Sequence, residues 1–449
     1  MSNGQGTRRN RRRKHHASRT TLCLALLVVL SGNSAAIDVD YEIGVAAKHS
    51  DNIALSETNA IDDTVISPRL YFQVGQAGRN LELFARGDFE YLDYTNGTFD
   101  DEVRGRFAGK ANWMLLPDRI DFVVQDSLSL QPVDQFAAFA PSNQQQVNVF
   151  VTGPTLHARF NGRTRGQLDL RYINSYAEKD DGFNSDRYNA AARLSHDLSA
   201  SQHVSANLEA TDVRFDLVGR ASDYRRYDGY VNWTANRHHV DLSLDLGSSR
   251  LELDDRESKS YPLGRATLDW RLSPRSALRT TLRYQLNDAA QALISPADLD
   301  FDFETDRSNF NDFRIPDAIV EPNIFRERLA RVRYSYNGAR LDVRVAPYYR
   351  RIRYVEELAP SQDRRGATVN IDYRLRPRLT LAFQVAREHR DYIGIAREDK
   401  DLVASIGLAN RFSRHWTGRA DFQRRERDST EPGRSYDENA VMVSLSYRY

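Results

Sequence analysis

Composition and charge exclude one class of protein and give no support to another. The chain has 449 residues, 40% of them hydrophobic, and a mean hydropathy of −0.63. No apolar run reaches the roughly 20 residues that a membrane-spanning helix needs, so a helical membrane protein is excluded. Residues 37–449 carry 56 basic against 62 acidic residues, so net charge gives no support to nucleic-acid binding. Of the 63 basic residues in the whole chain, 57 are arginine, whose rigid guanidinium suits carboxylate partners.

The first 36 residues are predicted to be a cleaved secretory signal peptide. A basic segment, RRNRRRKHH, precedes the apolar run from Leu22 to Leu30, and small residues follow it up to Ala36. This order of basic, apolar and small residues is typical of export signals. Cys23 lies inside the segment, so the mature chain, residues 37–449, is expected to be one domain without thiol chemistry.

From Ile37 to the end of the chain, apolar and polar residues alternate in one short segment after another. Side chains of a strand point alternately to its two faces, so each segment predicts a strand with one apolar and one polar face. About 20 strands are predicted, with 16 to 22 compatible with the pattern. In order they cover residues 37–45, 66–74, 81–91, 103–113, 120–130, 147–160, 168–176, 188–198, 204–215, 227–235, 240–246, 263–272, 278–286, 330–336, 341–349, 367–375, 379–385, 402–412, 416–422 and 441–449.

The connections between these strands alternate in length. Short turns such as LPDR (116–119) and RPR (376–378) alternate with longer polar segments such as 131–146 and 387–400. Outer-membrane barrels have short periplasmic turns, long external loops and an even strand number. The sequence therefore predicts a transmembrane antiparallel up-and-down β-barrel with both termini in the periplasm, in the outer membrane of a Gram-negative bacterium.

Aromatic residues near the strand ends predict a membrane girdle. Amphipathic rings collect at the level of the lipid headgroups. The girdle is assigned to Trp113, Trp233, Trp270, Trp416, Tyr447 and Tyr449. Outer-membrane lipids and lipopolysaccharide are thus expected partners, and the final strand, ending at Tyr449, is expected to engage the barrel-assembly machinery.

The polar faces of the strands supply the candidate functional residues. By parity they carry arginines that are densest in the region from the twelfth to the sixteenth strand, and an arginine-lined lumen would lower the barrier for anions. The alternative is that these charges pair across strands and fill the interior. The lumen or selectivity residues are predicted to be Arg104, Arg106, Arg271, Arg279, Arg283, Arg331, Arg333, Arg344 and Arg374.

Two acidic loops have alternative interpretations. The longest excursion, residues 287–326, is expected to be a solvated external loop, with folding back into the pore as the alternative. The segment 50–63 holds Asp51, Asn52, Asp62 and Asp63, whose oxygen atoms could bind calcium. Their spacing matches no defined calcium loop, so a plain acidic loop is expected. Neither a metal nor another cofactor is predicted.

Catalytic residues are not predicted. The histidines after the signal are scattered, and most lie beside short turns, away from the outer rim where outer-membrane hydrolases act. His389, near Asp391, is beside a longer loop but has no matching serine. We therefore expect a protein that is not an enzyme.

The opening YEIGVAAKHSDNIALSET (41–58) resembles the start of the β-barrel porin type 2 family. In that family a first strand is followed by an S/T-D-N-I-x-L segment, here Ser50 to Leu55, and residues 141–160 are also similar. The family includes outer-membrane proteins of exopolysaccharide and exosortase (PEP-CTERM) operons. The resemblance implies a role in exopolysaccharide export or surface assembly, with an anionic exopolysaccharide and periplasmic export components as partners.

Three functions remain open from the sequence. The first is a passive channel for an anionic glycan. The second is a general or substrate-specific uptake porin for small anions. The third is a structural barrel that anchors a surface polymer and conducts nothing.

Overall fold

Twenty antiparallel strands form one closed barrel. The computed structural model describes residues 37–217, 222–253, 256–294, 323–356 and 359–449. Strands adjacent in sequence pair with each other, and β20 pairs with β1. In chain order β1 to β20 are Asp38–Ser50, Asp63–Ala77, Leu81–Tyr94, Glu102–Leu116, Ile120–Pro132, Gln144–Arg159, Thr164–Ala177, Ser185–Ser199, Gln202–Phe215, Tyr224–Asn236, Val240–Leu253, Lys259–Ser273, Ser276–Asn287, Phe325–Asn337, Leu341–Tyr354, Ser361–Arg376, Leu379–Ile393, Glu398–Arg411, Trp416–Ser429 and Tyr436–Arg448. The predicted barrel and its count of twenty strands are confirmed.

Helical structure is minor in the part of the chain that is described. It consists of one short α-helix, α1 (Ala289–Ile294), and two 3-10 turns, Pro141–Asn143 and Asp181–Phe183. No helix among the described residues is long and apolar enough to cross a membrane. The predicted signal peptide, residues 1–36, lies outside the described residues.

Alternation along the strands separates an apolar outer wall from a polar inner wall. In β20, Val441, Val443 and Leu445 are exposed on the outside, whereas Met442 and Ser444 are buried on the inside. The register brings Val443 beside Ala47 of β1, so the apolar face continues across the closure. A closed barrel leaves no strand edge unpaired, which is the condition for spanning a bilayer with strands.

The two ends of the barrel differ in their connections. Nine connections of two to four residues lie at one end, here called the turn end, and ten connections of four to 37 residues lie at the other, the loop end. β1 begins and β20 ends at the turn end, because Asp38 pairs with Gly75 just before a short turn. The predicted alternation of turns and loops is confirmed.

Most strands extend further toward the loop end than predicted. Residues 387–393 and 398–400, predicted to be loop, belong to β17 and β18. In this stretch both faces are polar, as in Glu388, His389 and Arg390, so the period of two disappears from the hydrophobic pattern although the backbone ladder continues. Strand ends beyond the apolar band therefore escape prediction from hydropathy.

Candidate functional site: an arginine-lined lumen

The nine predicted lumen arginines lie on the inner wall. Residues directly opposite in a ladder share a face, so the register assigns each side chain. Arg279 is opposite Asp269 and Arg333, and Arg331 is opposite Tyr348, all on the inner face. The same assignment places all members of the predicted set inside: Arg104, Arg106, Arg271, Arg279, Arg283, Arg331, Arg333, Arg344 and Arg374.

The inner wall formed by β13, β14 and β15 is strongly cationic. It carries six arginines and two carboxylates, Glu327 near the loop end and Asp342 near the turn end. Arg283, Arg331, Arg333 and Arg344 are half-buried, and each has an interaction partner. We call this surface the arginine wall: Arg279, Arg283, Arg331, Arg333, Arg344 and Arg350.

Near the turn end the inner charges are paired yet accessible to solvent. Arg271 contacts Asp241 at 3.2 Å, and Arg374 contacts Asp342 at 2.9 Å. The arginine side chains of these pairs are 56% and 48% exposed. Exposed pairs contribute little to stability, typically about 0–1 kcal/mol, and they leave the guanidiniums accessible to a solute. The sequence left open whether the lumen arginines pair with carboxylates or are available to anions. Near the turn end these arginines are paired and also accessible to solvent.

On the opposite side of the barrel the inner charges form a second paired group. Arg104 bonds Glu102 and donates to the Tyr94 hydroxyl at 3.3 Å. Arg106 lies directly opposite Asp88 in the β3–β4 ladder. Bases and acids are better matched here than on the arginine wall, so the lumen is electrically one-sided.

Toward the loop end the same inner faces become buried. Arg350, Arg364 and Arg390 are direct neighbours on β15, β16 and β17, and Arg364 is 1% exposed. Arg350 bonds Glu327 at 2.8 Å, and Arg390 bonds Glu388 at 2.5 Å. A buried arginine is tolerated when its donors are satisfied. Carboxylates hold Arg350 and Arg390, and Arg364 donates to the Gln362 side-chain oxygen at 2.7 and 2.9 Å. This buried layer was not predicted from the sequence, although the alternation of side chains places each member on the inner face.

Helix α1 lies inside the barrel. The Asp288 carboxylate accepts from the Gln291 amide at 3.1 Å, which caps the helix, and the alanines that follow favour helix formation. Ala289 and Ala290 pack against a buried cluster that includes Val147 and Val149 of the inner face of β6. The segment that follows β13 thus reaches across the interior to β6.

Asp288 fixes the start of α1 with charged partners from two strands. Arg187 of β8 bonds the carboxylate at 2.5 Å, and the Tyr224 hydroxyl of β10 donates to it at 2.9 Å. Arg226 donates to Gln291 of the helix at 2.7 Å. Burial alone would raise the pKa of Asp288, but the Arg187 and Arg226 charges hold that pKa below its ordinary value.

The connection between β5 and β6, residues 133–143, crosses the lumen. Gln135 donates to the Tyr354 hydroxyl at 3.3 Å and accepts from Gln362 at 3.4 Å. Arg397 donates to the Phe136 carbonyl at 2.6 Å, and the Phe136 and Tyr392 rings are 5.6 Å apart. Since these partners belong to β15–β17 and the connection after β17, the loop spans to the opposite wall.

The expectation for the long loop is wrong where the structure describes it. Residues 288–294 fold into the barrel instead of forming solvated loop, because the Asp288 ion pair and the two buried alanines stabilise an inward position. The remaining residues, 295–322, lie outside the described part. A sequence signal existed, since Asp followed by AAQALI reads as a capped helix. No comparable signal marks Gln135.

The acidic segment 50–63 uses its carboxylates for local structure. Asp63 accepts from the backbone amides of Asn96 and Thr98 at 3.0 and 3.3 Å, and Asp51 accepts from the Asn439 amide at 2.7 Å. Both carboxylates therefore tie neighbouring connections together.

One group of described residues has the geometry to hold a metal ion. His389 Nε2 lies 2.9 Å from Asp391 and 2.6 Å from Glu398 on the outer wall near the loop end. The Arg365 guanidinium is 3.4 Å from the same ring. The His389 ring thus contacts both carboxylates and a guanidinium within the protein itself.

Aromatic side chains form two bands on the outer wall. The six predicted girdle residues, Trp113, Trp233, Trp270, Trp416, Tyr447 and Tyr449, lie near the turn end. Exposed outward tyrosines mark the other level: Tyr91, Tyr176, Tyr188, Tyr227 and Tyr349. Leu81, the partner of Trp113, is ten residues from Tyr91 along β3. At about 3.3 Å per residue and a tilt of about 40°, the bands are about 25 Å apart, the height of an outer-membrane apolar zone.

A family comparison agrees with this architecture. The family model described as "Putative beta-barrel porin 2" matches residues 357–449, which contain β16–β20. The family resemblance is confirmed over this part of the chain, although the segments that suggested it lie at 41–58 and 141–160. No curated protein matches the chain.

Several solved structures are similar to the barrel at low identity. The ferric enterobactin receptor PfeA of Pseudomonas aeruginosa is 9% identical with a TM-score of 0.49, covering 93% of this chain and 82% of the receptor. The FrpB iron transporter from Neisseria meningitidis is 9% identical with a TM-score of 0.44, covering 92% and 83%. The outer membrane protein opdK from Pseudomonas aeruginosa is 9% identical with a TM-score of 0.37, covering 92% and 99%.

The barrel, its outer apolar zone and the family match define the class of this protein. It is a β-barrel protein of the outer membrane, porin-like over residues 357–449.

Proposed function

We propose that the protein is a passive channel for an anionic glycan, acting in the export or surface assembly of an exopolysaccharide. The observation that carries this proposal is the arginine wall, where six arginines share one inner surface with two carboxylates. A cationic pore wall stabilises anions in passage without any energy-coupling element. The family resemblance supports the glycan as cargo. The same proposal includes that the protein is not an enzyme.

The proposed orientation follows from the connections. Long connections face the exterior and short turns face the periplasm in barrels of this class. The loop end is therefore outside, and both termini lie on the periplasmic side, where the solvated arginines near the turn end meet a solute leaving the cell.

An uptake porin for small anions is the second candidate. It is favoured by the loop 133–143 and by α1, which both cross the interior near the loop end and reduce the space available to a polymer. Passage of small organic anions with exclusion of oligosaccharides would support this candidate over the first.

Planar-bilayer recordings of the purified protein test the channel proposal. Under a KCl gradient the reversal potential is expected to show anion preference. Replacing arginines by glutamate at 279, 283, 331 and 333 is expected to abolish or invert that preference. The matched control makes the same replacements at four outer-wall positions, Arg214, Arg225, Arg250 and Arg424, and should retain it. Unchanged selectivity in the lumen variant would contradict the role of the arginine wall. If the wild-type protein gives no single-channel steps, both transport functions are contradicted and the non-conducting structural barrel is the function that stays.

A further inference from the structure

A second concentration of arginine lies on the outer wall near the loop end. It occupies four neighbouring strands, β14 to β17, and its side chains point away from the lumen by the register. We call it the outer arginine patch: Arg326, Arg328, Arg351, Arg353, Arg365 and Arg387. The lumen arginines on the same strands point the opposite way, so this patch plays no part in the proposed passage.

Like charges are placed directly opposite each other in the patch. Arg326 is the register partner of Arg353, and Arg328 is the register partner of Arg351. Such pairs are destabilising unless an anion lies between them. Within these two strands and the next, the described outer face offers one carboxylate, Asp363, which bonds Arg351 at 2.9 Å and Arg353 at 2.7 Å. This one carboxylate bonds two of the four guanidiniums.

The patch lies at the edge of the apolar zone. The Arg328 guanidinium is 4.9 Å from the centre of the Tyr284 ring, and that of Arg351 is 5.8 Å from the Tyr349 ring. Leu282 and Val332, further toward the turn end on the same outer face, are exposed apolar residues. Tyrosine and arginine above an apolar surface are typical of the level of lipid headgroups.

Outside the patch, the outer-wall arginines of β9 to β11 at this level have carboxylates beside them: Arg214 and Arg225 bond Asp212, and Arg250 bonds Glu252. On the outer faces of β19 and β20 near the loop end the corresponding residues include Glu426, Asp428 and Asp437, with Arg424 bonded to Glu426. Arg328, Arg365 and Arg387 of the patch are exposed, and no ion pair with a described residue involves Arg328 or Arg387. The patch is therefore a local feature and not a general property of the rim.

We propose that the outer arginine patch binds the phosphate groups of a phosphorylated glycolipid in the outer leaflet of the membrane. The assignment to the outer leaflet rests on the orientation given with the proposed function. Guanidinium forks bind phosphate through paired hydrogen bonds, and several of them at one height match a headgroup with more than one phosphate. The acyl chains of the lipid then cover the exposed apolar residues below.

Lipid titration of the purified full-length barrel in detergent, followed by native mass spectrometry, tests this site. The probes are bis-phosphorylated lipid A, lipid A with a single phosphate, and phosphatidylglycerol. The wild-type protein should bind them with affinities that decrease in that order. The variant Arg328→Gln/Arg351→Gln/Arg365→Gln/Arg387→Gln should lose at least about tenfold in affinity for the bis-phosphorylated lipid.

The control variant carries glutamine at four other outer-wall arginines, Arg214, Arg225, Arg250 and Arg424, and should bind as wild type. Equal losses in both variants, or equal affinity of the wild type for phosphatidylglycerol, would overturn the proposal. If the fourfold variant does not fold, as judged by heat-modifiable electrophoretic migration, Arg328→Gln/Arg387→Gln is used, and its unchanged affinity counts against the site. Lipid binding does not require conduction. If the barrel shows no single-channel steps in bilayer recordings, the channel proposal fails while the lipid-binding result still stands.

Discussion

Arg279 of β13 and Arg333 of β14 are direct partners across an antiparallel ladder, with both side chains on the inner wall. Opposed like charges cost stability, so this arrangement is unexpected in a wall that serves structure alone. Asp269 on the next strand contacts Arg279 at 2.5 Å and compensates part of the charge. The register of the barrel therefore places two positive charges side by side in the lumen, which is what the proposed anion preference requires.

Removing that compensating carboxylate should strengthen anion selectivity. In Asp269→Asn the positive potential around Arg279 increases, so the reversal potential in a KCl gradient is expected to shift further toward the anion value. The free energy of unfolding should change by less than about 1 kcal/mol, since the pair is exposed. A shift toward cation preference would contradict the prediction. Asp241→Asn, which removes the partner of Arg271 near the turn end, is the control for simple loss of a negative charge in the lumen.

Releasing the loop between β5 and β6 should enlarge the passage. Gln135→Ala/Arg397→Ala removes contacts that hold residues 133–143 against the opposite wall. Single-channel conductance is expected to rise, and the current should become noisier because the loop gains freedom. The control, Asn96→Ala in the short connection 95–101 at the same end, removes a contact to the Asp62 carbonyl and should leave conductance unchanged. Equal conductance in all three proteins would show that the loop does not limit flow.

Neutralising Asp288 should undock α1. In Asp288→Asn the buried guanidinium of Arg187 loses its carboxylate partner. Breaking a buried ion pair typically costs about 3–5 kcal/mol, and we expect the contact between α1 and β6 to be destabilised by this amount. Limited proteolysis should then cleave near residue 294 at a higher rate than in wild type. Gln291→Ala is the milder comparison, since it keeps the carboxylate and removes the bond from Arg226. Cleavage at the wild-type rate in Asp288→Asn would show that α1 is held by other contacts.

The same carboxylate predicts the pH dependence of the docked helix. The pKa of Asp288 is below its ordinary value in the folded protein, so its stabilising contribution is present above the ordinary pKa of an aspartate. That contribution is lost as the pH falls through the lower, folded pKa. Proteolysis with an acid-active protease should therefore be slow at mildly acidic pH and accelerate below the ordinary aspartate range. Acceleration around neutral pH would contradict this assignment.

Closure of the barrel should depend on Tyr449, which follows β20. The Tyr449 ring stacks on Tyr41 with centroids 5.3 Å apart, and Arg448 bonds Asp40 at 2.8 Å beside it. Tyr449→Ser removes a ring pair worth about 0.5–1.5 kcal/mol and the predicted signal for the assembly machinery. The folded fraction in outer membranes, measured by heat-modifiable migration, is expected to fall, whereas Tyr449→Phe should restore it. Normal assembly of the serine variant would show that Tyr449 is not required for closure of the barrel.

Much of the fold could be predicted because one physical rule governs most of the chain. Lipid outside and water inside impose a period of two, which made strands such as 441–449 and their inner and outer faces visible in the sequence. The rule fails where both faces of a strand contact water. Residues 388–391 were therefore predicted to be loop, although the β-ladder continues through them.

The inner face of the predicted arginines follows from the alternation of side chains along a strand, whereas their burial does not. Parity placed Arg279 and Arg333 inside, but it carries no information on burial, which depends on what crosses the lumen. The contacts of Gln135 with Tyr354 and of Asp288 with Arg187 join residues 219 and 101 positions apart. Pairings at such separation have no local signature, so the buried layer near the loop end became visible only in the folded barrel.

One face of each strand meets water and the other meets lipid, and cysteine labelling at neighbouring positions distinguishes the two faces. Thr281 and Leu282 are adjacent in β13 and lie on the inner and outer face. In a Cys23→Ser background, Thr281→Cys and Leu282→Cys are reconstituted in lipid vesicles and exposed to a charged, membrane-impermeant thiol reagent. Rapid labelling is expected at 281, and protection is expected at 282. Equal labelling at both positions, or protection at 281 with labelling at 282, would contradict this assignment of the two faces.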